Sequence, residues 1–111
     1  MSIEQARFNM IEQQIRPWDV LDPSVLSLLA VVKREDFVPP AYRGMAFFDT
    51  EVPLPSSTKE GQCMLAPKVE ARLLQALEVR KHERVLEIGA GSGHMAALLA
   101  HKARQVVTME I

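Results

Sequence analysis

The sequence is poor in features that mark several large classes of protein. It has a single cysteine, Cys63, so no disulfide can form within the chain and a bridge-stapled scaffold is excluded. Neither sign of charge is in excess: 13 Lys and Arg stand against 14 Asp and Glu, a formal net charge of −1. Without a basic field to hold a phosphate backbone, no nucleic-acid partner is expected. Long apolar runs are missing too. Stretches such as Met95 to Ala100 fall far short of the ~20 residues that cross a bilayer, so no membrane partner is expected. The opening MSIEQARFNM has neither the basic start nor the apolar run of a secretory signal. A cytoplasmic location is the expectation that follows. What is present is core material: 48% of the 111 residues are hydrophobic, enough for one small domain.

Ser2, with Gln5 three residues on, fits a helix-capping box. Ile3, Phe8, Ile11 and Ile15 then recur at roughly helical spacing until Arg16-Pro17, which is expected to stop the run. Asp22-Pro23 starts a second helix, with Val25, Leu26, Leu28, Leu29 and Val32 inward and Lys33 and Arg34 at its negative end. From Asp36 to Gln62 the prolines at 39, 40, 53 and 55 predict an irregular section, pinned by Phe37, Tyr42, Phe47 and Phe48. Pro67 opens a third helix with Val69, Leu73, Leu74 and Leu77 on its stripe. A polar connection over Arg80 to Arg84 leads to a short strand, Val85 to Ile88. Gly89-Ala90-Gly91-Ser92-Gly93 turns into a helix from His94 to Lys102, and Gln105 to Met109 is a second strand. Strand, glycine turn, helix and strand predict a βαβ unit with parallel strands and a right-handed crossover.

The chemistry is expected in Glu87-x-Gly89-x-Gly91-x-Gly93. A sharp strand-to-helix turn needs positive backbone angles, and a wall without β-carbons lets a ligand lie on bare main chain. A dinucleotide site would have G-x-G-x-x-G, placing a pyrophosphate on the helix N-terminus. Here the third glycine comes one residue early and His94 holds its place, a spacing that favours S-adenosylmethionine. Glu87 puts negative charge near the cationic amino-acid part of that ligand. Glu110, at the end of the next strand, is placed to accept from ribose hydroxyls. The cofactor-binding set is therefore Glu87, Gly89, Gly91, Gly93 and Glu110. The plainer alternative is a structural glycine turn with two incidental acids. No catalytic residue is assigned. Cys63 has no supporting histidine and reads as packing. His94 and His101 lie seven apart without a ligand partner, so no metal site is expected.

Arg34-Glu35-Asp36-Phe37-Val38-Pro39, the Asp49 to Leu54 stretch, Ala66-Pro67 and Arg84 to Gly93 resemble the protein-L-isoaspartate (D-aspartate) O-methyltransferase family, from about residue 10 onward. The resemblance implies an α/β fold: N-terminal helices, then the first βαβ unit of a Rossmann-like methyltransferase whose sheet is incomplete in this chain. On that reading residues 1–65 form the helical and proline-rich region and residues 66–111 begin the cofactor domain. It also implies methyl transfer from S-adenosylmethionine to the isoaspartyl carboxylate of a damaged protein, the protein or peptide substrate being the partner. One position departs from the pattern: Leu65 stands where the family has its active-site serine. That leaves open a methyltransferase with a different acceptor, or a non-catalytic interaction module that keeps the fold. Since later strands have no counterpart here, the expectation is a fragment inactive alone, able to self-associate through an exposed strand edge.

Overall fold

A computed structural model describes residues 2–54 and 62–109. Helix α1 spans Ile3–Met10, and Ser2 Oγ accepts from the Gln5 amide at 3.0 Å. The capping box is only half made, because the Gln5 side chain turns to Asn9 Oδ1 instead. Beyond α1 the helix widens over Ile11–Ile15 and tightens over Arg16–Trp18, reaching Asp19 at φ 61°. Pro17 thus sits inside the tight turn rather than ending the run. Its ring crowds the carbonyl four residues back, and a widened turn just before it relieves that crowding. The extra residue in the wide turn also rotates the face. Arg7, Met10, Ile11 and Ile15 are buried, whereas Ile3 and Phe8, expected inward, are 55% and 59% exposed.

Helix α2, Pro23–Val31, begins as expected, with Asp22 Oδ1 accepting from the Ser24 amide at 2.8 Å. Val25 and Leu29 are buried, but Lys33 and Arg34 lie outside the helix. Residues 34–54 form two tight 3₁₀ turns, Arg34–Phe37 and Pro40–Met45, and then a short strand β1, Val52–Pro53. Strand β2, Cys63–Met64, pairs with it antiparallel, Val52 opposite Met64. This pair was not expected. Two residues per strand are too few to show alternation. Phe37, Tyr42 and Phe47 pack beneath, while Phe48 is exposed.

Helix α3, Pro67–Leu77, buries Pro67, Glu70, Ala71 and Leu74, a clean i, i+3, i+4, i+7 set. The expected stripe was rotated from this one: Leu73 and Leu77 face outward. The Gln75 amide ties α3 to the turn before α2. Its oxygen accepts from the amides of Leu21 and Asp22, and its nitrogen donates to Asp19 O. Strand β3, Arg84–Ile88, helix α4, His94–Ala100, and strand β4, Gln105–Met109, follow in the expected order. β3 and β4 pair in parallel, Leu86 beside Val107 and Ile88 beside Met109. Val85 and Val106 face a core built from Ile15, Val25, Leu74 and Leu98. On the sheet's other face Leu86, Ile88, Val107 and Met109 are about half exposed or more. Among the described residues, no helix is long and apolar enough to cross a membrane.

Candidate functional site

The turn after β3 has the backbone its glycines predict. Gly89, Gly91 and Gly93 adopt φ of 84°, 59° and 89°, a region that L side chains rarely enter. Three hydrogen bonds hold it: the Gly89 and Ala90 amides both donate to Met109 O, at 2.7 and 3.1 Å, and the Gly93 amide donates to Ala90 O. The bend is therefore bolted to the end of β4 on one side and leads into α4 on the other. It opens on a hollow of about 240 Å³ lined by Leu65, Glu70, Glu87, Gly89, Gly91 and His94, among others.

Of the expected cofactor set, Glu87, Gly89 and Gly91 line this hollow together. Gly93 is the N-cap of α4. Glu110 lies outside the described residues. Glu87 is half-buried and accepts from Thr108 Oγ1 at 2.8 Å, a cross-strand bond that fixes its carboxylate at the sheet's end. Among the described residues no Lys or Arg lines the hollow. A cationic or neutral polar group is welcome there, and a phosphate would meet the Glu87 carboxylate with no lining cation among the described residues to offset it. A larger groove of about 510 Å³ lies at the opposite end of α4, with Arg80, Lys81 and Lys102 on its rim. It has no glycine bend and shares no residue with the hollow.

Glu70 was missed in the sequence, and so was what it holds. Its Oε1 accepts from Arg34 Nη1 at 2.9 Å and from His94 Nδ1 at 2.6 Å. Arg34 also donates through Nε to Ala46 O and through Nη2 to Leu65 O. Burial pushes the Arg34 guanidinium down from its ordinary value, offset in part by the charge and hydrogen bond of Glu70. Arg34 is therefore not the helix-end dipole partner expected of α2. A signal existed: an acid at 70 lies on the same face as Ala71 and Leu74, and an acid on a buried face needs a cation. A second buried pair joins Arg7 to Glu35, and Arg7 reaches Glu4 at 2.7 Å as well. Cys63 is half-buried, its thiol pushed up by burial and then by the Glu51 carboxylate. His94 is buried and His101 exposed, so the two do not share a site. Among the described residues no group of three or more His, Cys, Asp or Glu is placed to hold a metal.

Fold and bend together define the class: a Rossmann-like α/β unit whose glycine-rich turn leaves the C-terminal end of a parallel strand. Residues 5–110 match the model of the protein-L-isoaspartate(D-aspartate) O-methyltransferase family, and the chain belongs to that family. A protein-L-isoaspartate O-methyltransferase of Herpetosiphon aurantiacus is 40% identical over 107 residues, spanning 96% of this chain and 46% of that protein. One from Rhodopseudomonas palustris is 41% identical over 109 residues, spanning 98% and 43%. Among solved structures, a Plasmodium falciparum protein-L-isoaspartate O-methyltransferase in complex with S-adenosyl-L-homocysteine aligns with a TM-score of 0.67. It is 20% identical, with 99% of this chain and 49% of that chain covered, a likeness of fold. The chain spans about half the length of the relatives it matches.

Proposed function

We propose that this chain carries the S-adenosylmethionine end of a protein carboxyl methyltransferase of the isoaspartyl repair type. The observation that carries the reading is the hollow: a wall of bare glycine backbone, a fixed carboxylate at Glu87 and, among the described residues, no Lys or Arg in its lining. That chemistry fits a sulfonium and an α-ammonium, and not a pyrophosphate. S-adenosylmethionine supplies an electrophilic methyl group; the protein's task is to hold it in line with the acceptor oxygen. An isoaspartyl carboxylate is already ionised at neutral pH, so no general base is called for. Residues 66–111 open the cofactor domain in this reading, residues 1–65 pack against it, and the location is cytoplasmic. The exposed face of β3 and β4 supports self-association of this chain, which light scattering at high concentration would detect.

A second reading, a methyltransferase with another acceptor, is favoured by Leu65. Its carbonyl is taken by Arg34, and it lines the hollow at the position where the family resemblance implies a serine. Calorimetric titration with S-adenosylmethionine and S-adenosylhomocysteine tests both readings against a non-catalytic interaction module. Absence of binding leaves only the module. Methyl transfer to an isoaspartyl peptide by the complete protein then separates the first reading from the second.

A further inference from the structure

Three segments far apart in sequence meet at the buried carboxylate of Glu70. Arg34, Glu70 and His94 are all 5% exposed or less. His94 is the first residue of α4, next to Gly93, and that helix has no side-chain N-cap. The Ser92 hydroxyl is 3.4 Å from the His94 amide, at the far end of hydrogen-bonding range. The His94 ring is therefore the side-chain anchor of this end of α4, added to the backbone bond from the Gly93 amide to Ala90 O. Its Nδ1 meets Glu70, and its face lies tilted against Phe37 at 5.3 Å between ring centroids. Phe37 is also the nearest neighbour that a Cβ on Gly93 would meet, at 3.9 Å.

We infer that His94, held by Glu70 and Arg34, is a positioning residue for the cofactor-binding bend. The inference rests on reading the hollow as the S-adenosylmethionine site. A carboxylate only accepts, so Nδ1 carries the hydrogen and the ring orientation is set. Nε2 has no partner among the described residues, and Arg34 Nη1, itself only a donor, stands 3.5 Å from Nδ1, so with the hydrogen on Nδ1 the 2.6 Å bond to Glu70 is the main polar restraint on the ring. Through that bond the bend is referenced to α3. Through Arg34 it is referenced to Ala46 and to the carbonyl of Leu65, a residue that also lines the hollow. One carboxylate thus links three separate segments that line the hollow.

Phenylalanine at 94 keeps a ring against Phe37 but loses the donor. Asparagine loses the ring but places an amide nitrogen as many bonds from the backbone as Nδ1. The test is titration of S-adenosylhomocysteine into the complete protein and into H94F and H94N, with circular dichroism to check folding. H94F is expected to weaken binding roughly tenfold or more, the loss of one hydrogen bond to a charged group, with H94N staying near wild type. Equal affinity in H94F and wild type overturns the inference, as does an equal loss in both variants. No binding by the wild type overturns the cofactor reading and this inference with it. Should H94F fail to fold, long-range ¹⁵N correlation spectra of the wild type decide. A hydrogen on His94 Nδ1, with resonances that move on adding S-adenosylhomocysteine, supports the role; a ring protonated on Nε2 alone, or one silent to the ligand, overturns it.

Discussion

Placing valine at Gly91 tests backbone strain and site placement together. Gly91 holds φ at 59°, and a Cβ built there would meet Leu54 Cδ1 at 3.5 Å, an ordinary contact. Crowding at the β-carbon is therefore small, and the cost lies in the backbone. A β-carbon in the left-handed region costs about 1–2 kcal/mol, and a β-branched one tends toward ~3 kcal/mol. Each kcal/mol lowers the melting temperature by roughly 2–8 °C, the lower end applying to larger domains. G91V should thus melt well below the wild type and G91A only moderately so. Gly44 is the control. It lies in a 3₁₀ turn with nothing within 4 Å of its would-be Cβ and no positive φ, so G44A should be neutral. The assay is differential scanning fluorimetry paired with calorimetric titration of S-adenosylhomocysteine. G91V should lose at least tenfold in affinity, about 1.4 kcal/mol, while G44A loses none. A G91V protein that binds as the wild type does would refute the placement of the cofactor on this bend. One that melts unchanged would refute the left-handed geometry.

Two further outcomes follow from the buried pairs. Glu70→Ala leaves the Arg34 guanidinium buried without its counter-charge and should cost about 3–5 kcal/mol in urea denaturation; a loss below ~1 kcal/mol would mean the pair is open to water. Burial opposes ionisation of Glu35, but the hydrogen bond from Arg7, a backbone amide, and the charges of Arg7 and Lys33 together hold its carboxyl below the ordinary value. A carboxyl lowered in the folded state contributes stability above its unfolded value and loses it as pH falls through the folded one. The stability gap between wild type and Glu35→Gln, roughly 2 kcal/mol at neutral pH, should therefore close in acid, and a gap independent of pH counts against the pair.

What could be read from the chain was mostly what is decided locally. Ser2 and Asp22 cap the helices they precede, because a cap is a contact across two or three residues. The glycines at 89, 91 and 93 announce a bend, since few other residues accept those angles. The parallel pair followed from strand length and the intervening helix. What escaped depends on distance or on a shift of phase. The widened turn at Ile11–Ile15 moved the buried face of α1 onto Arg7 and Met10, and no spacing rule anticipates an inserted residue. The junction of Arg34, Glu70 and His94 joins positions 36 and 24 residues apart. Each looked ordinary alone: a helix-end cation, one acid in a charged helix, a histidine after glycines.

The Met109 carbonyl takes both amides that start the glycine bend, while the Met109 side chain, beside Ile88, is about half exposed. A partner resting on those two side chains would bear on the residue whose carbonyl holds the bend. Shielding the sheet and gripping a ligand then become linked equilibria. A segment or second copy resting on Ile88 and Met109 would tighten the ligand's hold, and the ligand in turn would favour the shielded state by the same free energy.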